Sequence, residues 1–304
     1  MVTCLACASS DVERWADARD VEYKSVPERF TYYRCLACDS LSIDPVPVSR
    51  LSEIYPPSYY SFRPPQRGVV YRVKDWLDRR WFRQLTRSVP GAELSALDIG
   101  GGNGQQLSSL RAADPRIRRT VVVDFDADAE AAARALGHEY VRGRIEDAAV
   151  TGPFDVILLL NLIEHVADPR RVLEKARSLL APTGLLVIKT PNHRSVDARL
   201  FRNENWGGYH CPRHWVIFTR ASFEQMARKV GLRVVQASYT QGAPFWTVSV
   251  LGWLDRRHAV HITIDHPAWT HPFYAPLAAL FAGIDFARGA VAPLSQMTFA
   301  LARA

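Results

Sequence analysis

Long hydrophobic runs are missing from this 304-residue sequence. Its longest nearly apolar stretches, residues 156–163 and 276–284, fall far short of the ~20 residues that a membrane-spanning helix needs. The first residues, Met1-Val-Thr-Cys-Leu-Ala-Cys7, lack the basic segment followed by an apolar one that marks a secretory signal. We therefore expect a cytoplasmic protein, and the sequence leaves open peripheral contact with the inner face of a membrane.

Compositional extremes are also absent, since 48% of the residues are hydrophobic and 23% are charged. These values exclude a mainly disordered, collagen-like or coiled-coil chain. The length suggests about two folded units. The net charge of +7 is typical of a mildly basic soluble protein, although a phosphate-bearing, nucleic-acid or membrane-surface partner would also suit it.

Cysteine is scarce, yet four of the five cysteines form two pairs, Cys4-Leu-Ala-Cys7 and Cys35-Leu-Ala-Cys38. Each pair brings two thiolates to one point, and two pairs complete the tetrahedral sulfur shell that Zn²⁺ prefers. Disulfides are disfavoured in the cytoplasm, so the pattern predicts a structural zinc ribbon, with an iron site or unbound thiols as alternatives. A hairpin would fill the long gap between the pairs, and residues 23–33 look like a strand. Cys211 is expected to be a free thiol.

Changes in composition divide the chain into three segments: a zinc-ribbon domain (1–50), a connector with an amphipathic helix (51–90) and an α/β domain (91–304).

Proline and tyrosine without periodicity predict an extended connector over residues 54–62. Apolar residues at helical spacing predict a helix over 69–85. Residues 63–87 hold eight Lys or Arg against two Asp. This helix either packs on the next domain or meets anionic lipid or a phosphorylated substrate.

Strand-like and helix-like segments alternate from about residue 91. The predicted strands are 94–99, 120–124, 140–141, 154–160, 184–190, 232–239 and 297–302. The predicted helices are 104–112, 126–136, 169–180 and 219–230. Such alternation predicts a doubly wound, Rossmann-like sheet of mainly parallel strands with helices on both faces. Ligands of such sheets bind at the carboxyl ends of the strands.

The first predicted strand runs into a glycine-rich turn, Asp98-Ile-Gly-Gly-Gly-Asn-Gly104. Glycines let the backbone turn tightly and let a ligand approach it closely. The next strand ends at Asp124, near the separation of about 20 residues expected of a carboxylate that binds a ribose. A nicotinamide-dependent dehydrogenase would share these features, but the glycine spacing differs from the G-x-G-x-x-G fingerprint of that class.

With these motifs, residues 94–232 resemble the class I S-adenosylmethionine-dependent methyltransferases. The resemblance is carried by the glycine-rich turn, by Asp124, by Arg144-Ile-Glu-Asp147, by the segment from Phe154 to Pro169 that contains Asn161-Leu-Ile-Glu-His165, and by Leu179-Leu-Ala-Pro-Thr-Gly184. It implies an enzyme that binds S-adenosylmethionine and transfers its methyl group.

The resemblance also implies the cofactor contacts. The methionine part would lie against Gly100, Gly102 and Gly104, with its amino group directed to Asp98. The ribose would lie at Asp124, the adenine between Ile145 and Glu146, and Asn161 would close the pocket. Arg144 stands where the family commonly has an acidic residue, so adenine recognition would depend on Glu146, Asp147 or the backbone.

The paired cysteines, the Tyr55-Pro-Pro-Ser-Tyr-Tyr-Ser61 segment and Tyr209-His-Cys-Pro-Arg-His214 extend the resemblance to methyltransferases of surface-polysaccharide, glycolipid and natural-product pathways. The implied acceptor is a small molecule, most simply a hydroxyl of a sugar, glycolipid or natural product. An RNA methyltransferase and a non-catalytic binding module are the alternatives. The zinc ribbon and positive charge suit RNA, but no base-reading motif is visible. The oligomeric state is not predicted.

A hydroxyl acceptor usually needs a general base, and histidine suits that role near neutral pH. Five histidines lie in the relevant stretch or near it. His165 and His193 follow strand ends, His210 and His214 lie in a Trp- and Gly-rich loop, and His258 lies nearby in the chain. We favour His210 as the base, followed by His214 and His165, although a hydrogen-bonded loop histidine is the plain alternative for each. Arg213 would either neutralise an acidic acceptor or form an ion pair at a helix end.

About fifty residues, 241–295, separate the last two strands, which form a hairpin in the family that the chain resembles. This insertion is rich in aromatic residues and includes a helix-like stretch, 276–288. It would serve as a packing layer, a lid over an apolar or sugar acceptor, a membrane-facing surface or a dimer surface. Aromatic rings suit sugar and lipid ligands alike, so they do not separate these roles.

Overall fold

A computed structural model describes residues 2–59, 68–203, 206–289 and 291–304. Their strands form two sheets, one with four strands and one with seven. Within these ranges no helix is both long enough and apolar enough to cross a bilayer.

The N-terminal sheet is antiparallel and contains β1 (Val12–Ala18), β2 (Phe30–Cys35), β3 (Leu41–Asp44) and, from much later in the chain, β9 (Val216–Ile217). The hairpin expected between the cysteine pairs is confirmed as β1 and β2. The strand expected over residues 23–33 is wrong in its first half. The Asp20 carboxylate accepts hydrogen bonds from the backbone N–H groups of Tyr23 and Ser25, which holds this part as a loop.

The connector contains a short helix, α1 (Leu51–Ile54), which ends at the first residue of the stretch that was expected to be extended (54–62). Residues 60–62 of that stretch lie outside the described part. The predicted amphipathic helix is present as α2 (Val69–Thr86). Its C-terminal half buries Phe82 and Leu85 in the core, whereas Val73, Trp76 and Leu77 are exposed. This helix therefore docks on the next domain through its C-terminal half.

The central sheet has the strand order β10-β11-β8-β7-β4-β5-β6, with β11 alone antiparallel to its neighbours. Its strands are β4 (Leu94–Ile99), β5 (Ile117–Asp124), β6 (Glu139–Arg142), β7 (Phe154–Leu160), β8 (Leu180–Pro191), β10 (Leu232–Thr240) and β11 (Gln296–Arg303). The helices along it are α3 (Gln105–Ala113), α4 (Ala127–Ala135), α5 (Pro169–Leu179) and α7 (Arg220–Lys229), whereas α6 (Val196–Leu200) contributes Ala198 to the core beside the N-terminal sheet. The predicted doubly wound sheet is thus confirmed.

Local sequence explains where these helices begin. The side chains of Asp126, Asp168 and Thr219 each accept a hydrogen bond from a backbone N–H in the first turn of α4, α5 and α7. Such caps satisfy groups that the helix itself leaves unpaired. The central strands are buried on both faces, as parallel strands covered by helices must be.

The insertion forms α8 (Ala243–Asp255) and α9 (Tyr274–Arg288) between β10 and β11, and these two strands pair as the expected hairpin. The buried Asp285 of α9 accepts a hydrogen bond from the backbone N–H of Gly242 at the start of α8. The outer face of α9 exposes Leu280, Ile284 and Phe286. The insertion is therefore a tied pair of helices with an apolar outer surface.

Candidate active site

The turn after β4 has the backbone conformation that glycine favours, with φ of +73° at Gly100, +49° at Gly102 and +74° at Gly104. A Cβ atom at Gly100 would lie 2.8 Å from Leu162, and one at Gly104 would lie 2.5 Å from His138. A Cβ atom at Gly102 would meet no atom within 4 Å. The turn is therefore packed on both sides and open at its middle, where a ligand can approach the backbone.

Asp98, the last acidic residue of β4, is buried and its Oδ2 has no hydrogen-bond partner. Burial, and then the charge of Asp124, raise the pKa of Asp98 to about 8. A buried acceptor without a partner costs free energy unless a ligand satisfies it. An ammonium group would supply both the missing donor and the missing positive charge, so this residue fits the amino group of the implied cofactor.

Asp124 lies at the carboxyl end of β5, beside the same turn. Its Oδ2 accepts a hydrogen bond from the Gly102 N–H at 2.9 Å, and its Oδ1 accepts one from the Asp126 N–H at 3.2 Å. Burial raises the pKa of Asp124. The carboxylate thus braces the glycine-rich turn at the carboxyl end of the neighbouring strand.

The remaining predicted cofactor residues follow β6 and β7. Ile145 is buried in the core and Glu146 is half-buried beside it. Asn161 has a left-handed backbone (φ +55°), which asparagine tolerates, and its Oδ1 accepts a hydrogen bond from the side-chain amide of Gln296. All of the predicted cofactor residues therefore lie at, or directly after, the carboxyl ends of β4, β5, β6 and β7.

The three favoured histidines come together in one cluster. The ring centroids of His165 and His214 lie 4.7 Å apart, those of His210 and His214 lie 5.0 Å apart, and those of His165 and His210 lie 6.0 Å apart. His165 belongs to the segment that follows β7, and the other two come from the loop before β9. The segment after β7 and the loop before β9 thus contact each other through these histidines.

The other two histidines lie elsewhere. His193 is buried and its Nε2 donates a hydrogen bond to the backbone carbonyl of Asp39 at 2.7 Å, which ties the end of β8 to the second cysteine turn. His258 is exposed. Neither belongs to the cluster.

His210 has partners on both ring nitrogens. Its Nδ1 donates to the Glu22 carboxylate, with 2.6 Å from Nδ1 to Oε2, and its Nε2 lies 3.4 Å from the Tyr59 hydroxyl. A carboxylate at Nδ1 leaves Nε2 of a neutral ring as the proton acceptor. Sequence reasoning missed Glu22, because nothing near it in the chain connects it with a residue 188 positions away.

His165 and His214 are held as neutral rings. The Tyr55 hydroxyl and His165 Nδ1 share a hydrogen bond of 2.9 Å, and burial, with the charges of His210 and Arg213, lowers the pKa of His165 to about 3. His214 Nδ1 donates to the Gly208 carbonyl at 2.8 Å, and burial lowers its pKa as well.

Glu164, beside His165, is fully buried and was not among the predicted site residues. The Thr190 hydroxyl donates to its Oε2, while its Oε1 has no hydrogen-bond partner and lies 3.9 Å from His214 Nε2. Burial raises the pKa of Glu164 to about 8. Glu164, His165 and His214 each offer one atom that could bind a metal ion, and these three atoms lie within 4.8 Å of one another. This spacing would allow the three residues to bind a common metal ion.

Arg213 forms an ion pair, as one of its two expected roles required, but the pair does not lie at a helix end. It is fully buried in a two-point ion pair with Asp20, with 2.9 Å between Nη2 and Oδ2 and 3.3 Å between Nη1 and Oδ1. Burial by itself raises the pKa of Asp20, but the charge and hydrogen bonds of Arg213 lower it overall. The pair links the N-terminal loop to the loop before β9.

The four paired cysteines also meet. Their sulfur atoms all lie within 4.8 Å of one another, with 3.6 Å between Cys4 and Cys38 and 3.5 Å between Cys7 and Cys35. This arrangement fits four sulfur ligands around one metal ion. Cys211 is buried away from them, and burial raises the pKa of its thiol.

Comparison with known proteins decides the family. A family described as a methyltransferase domain matches residues 67–237. The chain belongs to this methyltransferase family. The prediction of an S-adenosylmethionine-dependent methyltransferase is confirmed at this level.

Curated relatives of this methyltransferase include two enzymes named ubiquinone biosynthesis O-methyltransferase. The one from Parvibaculum lavamentivorans is 34% identical over 171 residues, which cover 53% of this chain and 67% of the relative. The one from Caulobacter vibrioides is 31% identical over 170 residues, which cover 51% of this chain and 66% of the relative. The similarity thus spans about two thirds of each of these relatives.

Solved structures show the same fold at low identity. A protein of Bacillus halodurans C-125 assigned as a methyltransferase has a TM-score of 0.51 and 18% identity, covering 75% of this chain and 98% of that one. The plantazolicin methyltransferase BamL has a TM-score of 0.50 and 16% identity, covering 76% and 86%. The methyltransferase sheet is common to these proteins.

Proposed function

We propose that this methyltransferase transfers the methyl group of S-adenosylmethionine to a hydroxyl oxygen of a small molecule, such as a sugar, glycolipid or natural product. The observation that carries the proposal is the convergence of His165, His210 and His214 next to the segment that packs on the glycine-rich turn. The names of the two curated relatives, both O-methyltransferases, support oxygen as the acceptor atom.

The cofactor turn and the histidine cluster share one stretch of chain. The Leu162 side chain lies 2.8 Å from the position of a Cβ on Gly100, and His165 follows three residues later. Because the Ile163–His165 turn is short, a donor held on the glycine turn and an acceptor held by the histidines would be neighbours. Such proximity is the main contribution that a protein makes to a displacement reaction.

The cofactor would be held by the residues that the sequence indicated. Asp98 would pair with its ammonium group, the open middle of the turn at Gly102 would receive its methionine part, and Asp124 would accept hydrogen bonds from its ribose. The adenine would contact Ile145 and Glu146, and Asn161 would border the pocket. When bound, S-adenosylmethionine supplies a methyl carbon whose bond to sulfur breaks with the electron pair remaining on sulfur.

His210 would act as the general base. Its Nε2 accepts the hydroxyl proton while the acceptor oxygen forms its bond to the methyl carbon, and the Glu22 carboxylate lies at the opposite ring nitrogen. His165 and His214 stay neutral and line the acceptor side. Burial of the cluster keeps bulk water away from the reacting groups.

The test is a His210→Ala variant with His258→Ala as its control, since His258 is exposed and outside the cluster. We expect the kcat of His210→Ala to fall at least about 100-fold, the lower end for loss of a general base. Calorimetry should show unchanged affinity for S-adenosylhomocysteine in both variants. Full turnover by His210→Ala would remove this residue from the mechanism.

The acceptor is tested separately by a screen for transfer of labelled methyl groups to sugars, lipid-linked sugars, phenolic natural products and RNA. Formation of an acid-stable methyl ether would support an oxygen acceptor, and labelled RNA would overturn the small-molecule assignment.

The four cysteines would hold a structural Zn²⁺. Four protein ligands leave no open position for substrate, so this ion would not take part in methyl transfer. One zinc ion per chain by elemental analysis would support the assignment, whereas one iron ion or no metal would contradict it.

A further inference from the structure

Glu22 belongs to the N-terminal segment, yet it contacts the proposed base. Its side chain is buried and its Oε2 lies 2.6 Å from His210 Nδ1. Its backbone carbonyl accepts a hydrogen bond from the N–H of Ala268 in the insertion. The residue therefore sits where three separate parts of the chain meet.

The loop that carries Glu22 is held from both sides. Asp20 binds the loop backbone at Tyr23 and Ser25 and pairs with the buried Arg213. Nearby, Lys24 forms an ion pair of 2.6 Å with Asp255 at the end of α8. These contacts hold the loop in one position. They thereby also hold the Glu22 carboxylate beside His210.

We propose that Glu22 is the positioning residue for His210, and that the N-terminal domain thereby supplies part of the active site. The carboxylate fixes the orientation of the imidazole ring and keeps its proton on Nδ1, so that Nε2, which lies 3.4 Å from the Tyr59 hydroxyl, carries no proton of its own and can accept that of the acceptor hydroxyl. It then stabilises the imidazolium that this transfer forms. The inference rests on the proposed function, in which His210 is the base.

The test compares three variants in the full-length protein. Glu22→Gln keeps the shape of the side chain but removes its charge, and Glu22→Asp restores the charge on a shorter side chain. Glu28→Gln is the matched control, because Glu28 is an exposed residue of the same segment that pairs with Arg50.

We expect Glu22→Gln to lower kcat at least about 10-fold, as loss of an orienting partner does elsewhere. The KM for the acceptor and the affinity for S-adenosylhomocysteine should change less than about 3-fold, since the residue touches neither ligand in the proposed mechanism. Glu22→Asp should recover part of kcat, and Glu28→Gln should match the wild type. Wild-type kcat in Glu22→Gln would overturn the proposal, as would equal loss in Glu28→Gln.

A second measurement does not depend on turnover. NMR of protein labelled with ¹⁵N in histidine should show the His210 proton on Nδ1 in the wild type and a mixture of tautomers in Glu22→Gln. The same tautomer in both proteins would overturn the proposal. If the tautomer changes but His210→Ala retains full turnover, the proposed role of His210 as the base fails, while the Glu22–His210 orientation stands. If His210→Ala is inactive and Glu22→Gln is fully active, His210 remains the proposed base, and the positioning role of Glu22 fails.

Discussion

If Asp98 binds the ammonium group of the cofactor as proposed, cofactor affinity should depend on pH. Burial and Asp124 raise the pKa of Asp98 to about 8, so the free protein carries a protonated Asp98 at pH 6 and an increasingly ionised one above pH 8. Only the ionised form pairs fully with an ammonium group. Binding therefore requires loss of a proton below about pH 8, and the affinity of the wild type should rise from pH 6 to pH 8 and then level off.

The Asp98→Asn variant tests this pairing. Above pH 8 it should bind S-adenosylhomocysteine at least about 10-fold more weakly than the wild type, because a buried charge pair has lost one partner. At pH 6 the difference should shrink, since the wild-type carboxyl is already protonated. Calorimetry at both pH values measures the effect.

Glu93→Gln is the control, because Glu93 is exposed and directly precedes β4, the strand that contains Asp98. An equal pH dependence in the wild type and in Asp98→Asn would contradict the assignment of Asp98 to the ammonium group.

At the scale of elements, substitutions at two glycines of the glycine-rich turn should have different effects, one mainly on the free energy of unfolding and the other mainly on cofactor affinity. Gly104→Ala would push a Cβ against His138, which is fixed by hydrogen bonds to Thr120 and Ser108. We expect a loss of about 1–3 kcal/mol in the free energy of unfolding from this overpacking. Gly102→Ala meets open space, so its cost to folding is limited to about 1–2 kcal/mol of backbone strain. Its larger effect should be on cofactor affinity.

Chemical denaturation and calorimetry of both variants give the comparison. Gly283→Ala, inside α9 and free of neighbours within 4 Å of the added Cβ, serves as the control and should gain about 0.5–1 kcal/mol. Unimpaired cofactor binding in Gly102→Ala would show that the ligand does not approach this part of the turn.

The sequence predicted elements well where the signal was local. The apolar run of β7 matches its observed bounds, and the predicted helices 126–136, 169–180 and 219–230 lie within a few residues of α4, α5 and α7. The glycine turn and Asp124 were likewise recognisable because neighbouring residues define them.

The rest depended on partners that are distant in the chain. Residue 23 was expected in a strand, but the Asp20 carboxylate draws it into a loop that Arg213 completes from 193 positions away. Glu22 was missed for the same reason. The histidines could be proposed individually as bases, whereas their meeting in one cluster required the structure.

At the scale of the whole molecule, the cysteine cluster is connected to the active site. Arg194 pairs with Asp39 in the second cysteine turn, and β3 of the same sheet pairs with β9, which directly follows the His210–His214 loop. Within the described residues, no backbone hydrogen bond joins the cysteine turns to the glycine turn, although apolar residues next to both belong to one core cluster. Loss of the metal should therefore disturb catalysis more than cofactor binding.

The Cys38→Ser variant tests this connection. We expect it to lose its metal, to melt at a lower temperature and to show kcat reduced at least about 10-fold, because the sheet that supports the base is no longer anchored. Affinity for S-adenosylhomocysteine should stay within about 3-fold of the wild type. Cys211→Ser, at a buried cysteine outside the cluster, is the control for metal content. Full kcat in a metal-free Cys38→Ser protein would show that the two parts are independent.

The position of β9 late in the chain also has a consequence for synthesis of the protein. While the chain is being made, β3 has an uncovered edge until residues 216 and 217 have left the ribosome, by which time most of the polypeptide exists. An unpaired strand edge attracts other chains. Nascent or prematurely terminated products that stop before β9 should therefore be the aggregation-prone species of this protein, and chaperones should engage them during that interval.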